Sequence, residues 1–256
     1  SEFPEFDPSE TVNEYAVQDP NGKNGRALYP SPGTLRAKTL QNSGVGRRLH
    51  FFDNSMYAVV SENLYRLDST LNSAFLGSLS SQSGYIGIAN NNTQLVVVDG
   101  VSGWLWDKDA ETYSQITDSD FPSSPQDVAV LADRFIVNYG TTNKLGYSAL
   151  GNGSSWSALD TFAMTTYPDV VVALRTLNGR LFVMGQRSTE TWYDAGSADI
   201  PFRRDNPSIE FGCAATGSAV KGMGFLLWLS RTTNGVWAVV LTTGGKPVQV
   251  SSAAID

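Results

Sequence analysis

His50 is the chain's one histidine and Cys213 its one cysteine. The two residue types that most often do nucleophilic, acid–base or zinc chemistry are therefore each present once and far apart. A zinc site needs three or four such ligands, and a hydrolytic triad needs a nucleophile, a base and an orienting carboxylate. His50 alternates with Leu49 and Phe51 and stands beside Phe52, which makes it a hydrogen-bonded strand residue of a core or an edge. Cys213, in FGCAATG, reads as a small buried hydrophobe, and one cysteine excludes an internal disulfide framework. No GxxxxGK[ST] loop exists and no GxGxxG opens a helix, so nucleotide binding has no motif. No catalytic, cofactor-binding or metal site is assigned.

Carboxylates are the other candidates, because paired acids hydrolyse glycosides. SALGNGSSW, Ser148 to Trp156, loosely resembles the sialidase Asp-box hairpin, with Asn152 where an acid would stand. The arginines that could hold a sugar carboxylate, Arg47-Arg48 and Arg203-Arg204, are adjacent pairs that point to opposite faces of a strand. Asp53, Asp99 and Asp133 fall at turns, where side-chain-to-backbone hydrogen bonding accounts for them. DKDAE (107–111) is too short a signal for calcium. Trp104, Trp106, Trp192, Tyr193, Trp228 and Trp237 occupy strand positions and read as packing between sheets. A glycosidase or a carbohydrate-binding protein stands as the alternative reading.

The elements that must position these residues are strands. RRLHFFDNSMYAVVSENLYRLD (47–68) reads as three short strands joined by tight polar turns. Its second strand recurs: YAVV begins at 57, LVVV at 95, FIVN at 135, LFVM at 181 and LLWL at 226, spaced 38, 40, 46 and 45 residues apart. Third strands follow in step as LYRL (64), WLWD (104), LGYS (145), TWYD (191) and WAVV (237). First strands are LHFF (49–52), YIGIA (85–89), DVAVL (127–131), VVVAL (170–174) and ATGSAV (215–220). Fourth strands are AFLGSL (74–79), YSQIT (113–117), WSALD (156–160), PFRRD (201–205) and PVQVS (247–251). A period of about 40–50 residues built from short strands predicts an all-β fold, a β-propeller with about five visible four-stranded blades.

Charged residues are only 17% and aromatics 11%, which suits a compact β protein and argues against disorder. The net charge of −7 argues against long-range attraction to nucleic acid or anionic membrane. No apolar run approaches the ~18 residues of a membrane span, and no secretory signal pattern opens the chain. Residues 1–35, with prolines at 20, 30 and 32, read as an extended arm, and 36–256 as the propeller; SEF (1–3) looks like a vector scar. RAKTL (36–40) would be a strand lent to the last blade, and the end at SSAAID (251–256) suggests a piece of a longer propeller protein.

One ordered series of segments points to a family. ALYPSPGT (27–34), MYAVVSENLYRLD (56–68), NNNTQLVVVDGVSGWLWD (90–107), QITDSDFP (115–122), ALGNGSSWSALD (149–160), TETWYDAGSADIPFRRD (189–205), FGCAATGSAV (211–220) and WLSRTTNGVWAVV (228–240) together resemble the packaged-DNA stabilisation proteins of short-tailed bacteriophages. The resemblance implies a virion component and not an enzyme: a tail hub or head-completion protein, made in the host cytoplasm. Such a protein docks below the portal and its adaptor ring, in six copies, and closes the DNA channel after packaging. It also carries the tail needle and tailspikes, without sequence-specific nucleic-acid contacts. Interface candidates are Tyr29 in the arm and the adjacent Arg203 and Arg204.

Overall fold

A computed structural model describes residues 14–18, 26–41, 44–167, 169–197, 200–231 and 237–251. The chain divides into two units, Leu40–Val250 and a smaller one of Ser1–Thr39 with Ser251–Asp256. In the smaller unit β1 (Glu14–Gln18) and β2 (Arg26–Pro30) form an antiparallel hairpin with Tyr15 opposite Tyr29. Pro30 sits at the last paired position, where its missing N–H does least harm. These two strands fall within the stretch 1–35 read from sequence as an arm. The signals at SEF and, from Ser252 onward, at SSAAID lie outside the described residues.

The larger unit holds five four-stranded antiparallel sheets, each made from strands consecutive in sequence. The first blade is β3 (Gly46–Phe52), β4 (Ser55–Val60), β5 (Asn63–Leu67) and β6 (Ser73–Ser78). The second is β7 (Gly87–Asn90), β8 (Gln94–Val98), β9 (Gly103–Asp107) and β10 (Thr112–Gln115). The third is β11 (Val128–Leu131), β12 (Arg134–Asn138), β13 (Lys144–Ala149) and β14 (Asn152–Ala163). The fourth is β15 (Val171–Leu177), β16 (Arg180–Gly185), β17 (Thr189–Asp194) and β18 (Phe202–Ile209). The fifth is β19 (Val220–Lys221), β20 (Leu226–Arg231), β21 (Trp237–Thr242) and β22 (Val248–Gln249). This is a five-bladed β-propeller, and no described helix is long and apolar enough to cross a membrane.

Two sequence expectations fail here. RAKTL carries no strand, because each sheet already draws its four strands from its own repeat. Only the end of ATGSAV is extended: Thr216–Ser218 is a 3-10 turn closed by Ser218 N–H to Ala215 O (3.0 Å) and Ala219 N–H to Thr216 O (3.3 Å). Short polar side chains favour such local bonding over a ladder, and the Ser218 hydroxyl also donates to Ala215 O at 2.7 Å.

The turns are set by residue chemistry. Asp53-Asn54, Ala132-Asp133 and Asn178-Gly179 join first to second strands with positive φ at both positions, the type I′ requirement for a tight hairpin. At the end of the third strand a short polar side chain accepts from the following amides. Asp68 takes Thr70 and Asn72, Asp107 takes Asp109 and Ala110, Asp194 takes Gly196, and Thr242 takes Gly244. Hydrogen bonds to Thr70 and Asn72 hold the Asp68 carboxyl down at about 2.

Apolar cores alternate with the sheets. Tyr57, Val59 and Leu64 of the first blade meet Ile88, Leu95 and Val97 of the second. Val96, Val98 and Leu105 meet Phe135, Val137 and Trp156; Ile136, Leu145 and Tyr147 meet Leu181, Val183 and Trp192. Ala173, Phe182 and Met184 meet Trp228, Ala238 and Val240, with Cys213 buried among them. Strands such as Leu95–Val98 feed cores on both faces, which is why they read as continuous apolar runs. Among the described residues no apolar core joins the fifth blade to the first. On the first blade Leu49 and Phe51 remain 67% and 63% exposed, and on the fifth Trp237 and Val248 are also exposed.

Candidate functional site: the axial cavity and its arginine hub

The first strands of all five blades line one cavity of about 520 Å³. Each is the end strand of its sheet, so its inner edge carries unpaired ladder positions toward the axis. Polar side chains on the wall are Arg48 and His50 from β3, Asn90 from β7, Arg175 and Thr176 from β15, and Lys221 from β19. The lining contains no Asp or Glu, although the chain as a whole is acidic.

Arg175 is the hub. Its Nη1 donates to Asp127 Oδ2 (2.5 Å) and to Leu174 O (2.6 Å), its Nη2 to Tyr85 Oη (2.9 Å) and Thr216 O (3.0 Å), and its Nε to Ala219 O (2.7 Å). These partners belong to segments of the second, third, fourth and fifth blades, so one planar fork ties four blades together. Asp127, 1% exposed, answers in kind: its Oδ2 also accepts the Leu174 amide (2.9 Å) and its Oδ1 the Val128 amide (3.0 Å). Burial alone would lower the Arg175 pKa; the Asp127 carboxylate, with Tyr85, outweighs it and holds the guanidinium charged. The Tyr85 hydroxyl is pushed up by burial and by Asp127, and so stays a neutral donor.

A second arginine fixes the first blade to the second. Arg47 donates to the carbonyls of Ser61 (2.9 Å), Ser81 (2.7 Å), Ser83 (2.6 Å) and Gly84 (3.0 Å) and to Ser81 Oγ (2.9 Å). Its neighbour Arg48 turns to the axis, with its guanidinium carbon 5.2 Å from the centroid of the Tyr85 ring. His50 Nε2 lies 2.8 Å from Asn90 Oδ1, and Asn90 Nδ2 donates to Asn91 O at 2.8 Å. The amide orientation leaves its oxygen facing the ring, so neutral His50 carries its proton on Nε2. Burial pulls the His50 pKa down and Arg48 adds to this, against the Asn90 hydrogen bond.

The model of a phage stabilisation family described as bacteriophage P22 Gp10, β-propeller, matches residues 2–256. The chain belongs to the P22 Gp10 family. Gp10 is a phage structural protein, and the five blades described above agree with the propeller of that family. A search of curated proteins returns no match. Among solved structures, the computationally designed Ika8 protein is similar at 12% identity, with 92% of this chain and 70% of that chain covered and a TM-score of 0.49.

In this Gp10-family chain the residues singled out from sequence are dispersed. Tyr29 is about half exposed on the hairpin of the smaller unit. Arg203 and Arg204 lie on β18, with Arg203 exposed on one side. Arg204 reaches Thr165 Oγ1 (3.1 Å), Thr166 Oγ1 and the fully buried Glu190 (3.4 Å). Glu190 also accepts the amides of Thr165 (2.9 Å) and Thr166 (2.7 Å) and the Trp192 indole N–H (3.2 Å).

The Asp-box-like hairpin is a turn: Asn152 Oδ1 accepts the Ser154 amide (3.0 Å), and Trp156 donates back to Gly153 O (2.8 Å). Asp99 caps the Val101 and Ser102 amides, as its turn position predicts, whereas Asp53 instead meets Lys108 at 3.3 Å. Trp106, Trp192 and Trp228 pack between blades and Trp104 stacks on Tyr113, but Tyr193 and Trp237 are exposed. No group of three or more metal-ligating side chains is found among the described residues. The hub itself went unseen in the sequence. Its signal was a lone arginine inside the apolar strand Val171–Leu177, which must have a buried partner.

Proposed function

We propose that the protein is a structural component of the phage tail machine. It docks below the portal–adaptor complex after packaging, closes the DNA channel, and connects to the tail needle and tailspikes, assembling as a six-membered ring in the virion. The family match across residues 2–256 carries this reading. The fold supports it: four apolar cores and two arginine clamps make adjacent blades one stiff body, suited to bearing load across an interface. A net charge of −7 disfavours retention on DNA, so the channel is closed by protein contacts. Tyr29 and Arg203 are the exposed members of the candidate interface set; Arg204 is turned toward Glu190.

The test is size-resolved light scattering of the protein with assembled portal–adaptor rings. A discrete complex of about six copies per ring is expected. Failure of folded protein to associate at any salt or concentration overturns the proposal.

A further inference from the structure

We propose that the axial cavity binds a small multivalent oxyanion of the phosphate type, held between Arg48 and Lys221. Three observations carry this. The charged side chains of the lining are cationic: Arg48, Arg175 and Lys221, with His50 beside them. Arg175 is neutralised by Asp127 and has every donor engaged, so the uncompensated charges are Arg48 and Lys221. Arg48 and the exposed Lys221 also have donors to spare. The two Nη groups of Arg48 make no hydrogen bond among the described groups and stay open to solvent, whereas the Nε, also without a partner, is enclosed and out of a ligand's reach. The guanidinium carbon lies 5.2 Å from the Tyr85 ring centroid, a cation–π distance.

An ionised acceptor makes the stronger, charge-assisted hydrogen bond to open guanidinium and ammonium donors. A cavity of about 520 Å³ has room for a tetrahedral anion with hydration water, and far too little for a nucleic-acid duplex. A cation has no carboxylate to meet on this wall.

The chain supplies its own reporter. His50, the single histidine, lines the same cavity and contacts Asn90; the charged groups around it are Arg48, Arg175 with Asp127, and Lys221. Histidine-selective NMR of the intact protein, titrated with inorganic phosphate against sodium chloride at matched ionic strength, reads one imidazole. The expected result is a saturable shift of the His50 resonances with phosphate alone, and a rise of its titration midpoint by about half a pH unit or more.

Arg48→Gln and Lys221→Met should each weaken phosphate binding at least tenfold. Lys221 is exposed, so its variant keeps the test informative if Arg48→Gln fails to fold. No saturable response, the same response to chloride, or undiminished binding in folded variants overturns the proposal. These outcomes are independent of portal docking.

Discussion

Arg175 Nη1 lies 2.5 Å from Asp127 Oδ2, and the two residues belong to the first strands, or their approaches, of adjacent blades. Both are nearly buried, and the surrounding amides and carbonyls use the remaining donors and acceptors. Such a pair is costly to break from one side, because the survivor is left charged and unpaired. Arg175→Met should destabilise the fold by about 3–5 kcal/mol. Asp127→Asn should cost a similar amount, because Arg175 is left charged and the new N–H₂ must face either the Val128 amide or the Leu174 amide and Arg175. The double variant should fall well short of the sum, and urea unfolding of the four proteins in a double-mutant cycle measures that coupling.

His50 gives a pH signature of known sign. Its pKa is lowered in the fold, chiefly by burial and further by Arg48, so between the folded value and ~6.5 the unfolded chain binds more protons. Its contribution is fully present above pH ~6.5 and is lost as pH falls through that window toward the folded value. Because no other histidine titrates, His50→Gln should flatten the stability profile between pH 6.5 and 5. An unchanged slope in chemical denaturation across that range would refute the assignment.

The repeat was legible because it is written in hydrophobicity. LVVV, FIVN and LFVM each lie inside an observed second strand, since a strand packed on both faces has no alternative pattern. What escaped is written in partners. ATGSAV keeps the strand spacing of the other repeats, but its Ser218 hydroxyl and Thr216 carbonyl bond locally and β19 is only two residues long. Arg175 was lost for a similar reason. The apolar run VVVAL ends one residue before it, and nothing local shows that Asp127, 48 positions upstream, meets it. The interface candidates Arg203 and Arg204 look equivalent as a dipeptide; only the buried Glu190 on the neighbouring strand distinguishes them.

Two adjacent residues at the end of the first blade's first strand make a sharp comparison. Phe51 is 63% exposed, while Phe52 is 5% exposed in the core shared with the second blade. Phe52→Ser should cost about 3 kcal/mol or more, by loss of packing and burial of a hydroxyl. Phe51→Ser should change stability by about 0.5 kcal/mol or less, and should reduce binding of a hydrophobic dye. Equal destabilisation of both would mean that Phe51 is covered.

Glu190 and the arginine pair rank three substitutions on one scale. Glu190 is fully buried and accepts two amides, an indole N–H and Arg204, so Glu190→Gln replaces a charged acceptor by an amide whose N–H₂ faces donors. A loss of about 2–3 kcal/mol follows from charge-assisted bonds of this kind. Arg204→Ala leaves the carboxylate its three N–H donors and should cost about 1–2 kcal/mol. Arg203→Ala, on the exposed side, should fall within about 0.5 kcal/mol of the parent. Thermal unfolding checks the order. The same three proteins in the portal-ring binding assay separate a docking role from a folding one: a contact made by Arg203 weakens association at unchanged stability, whereas Glu190 and Arg204 act only as far as they destabilise.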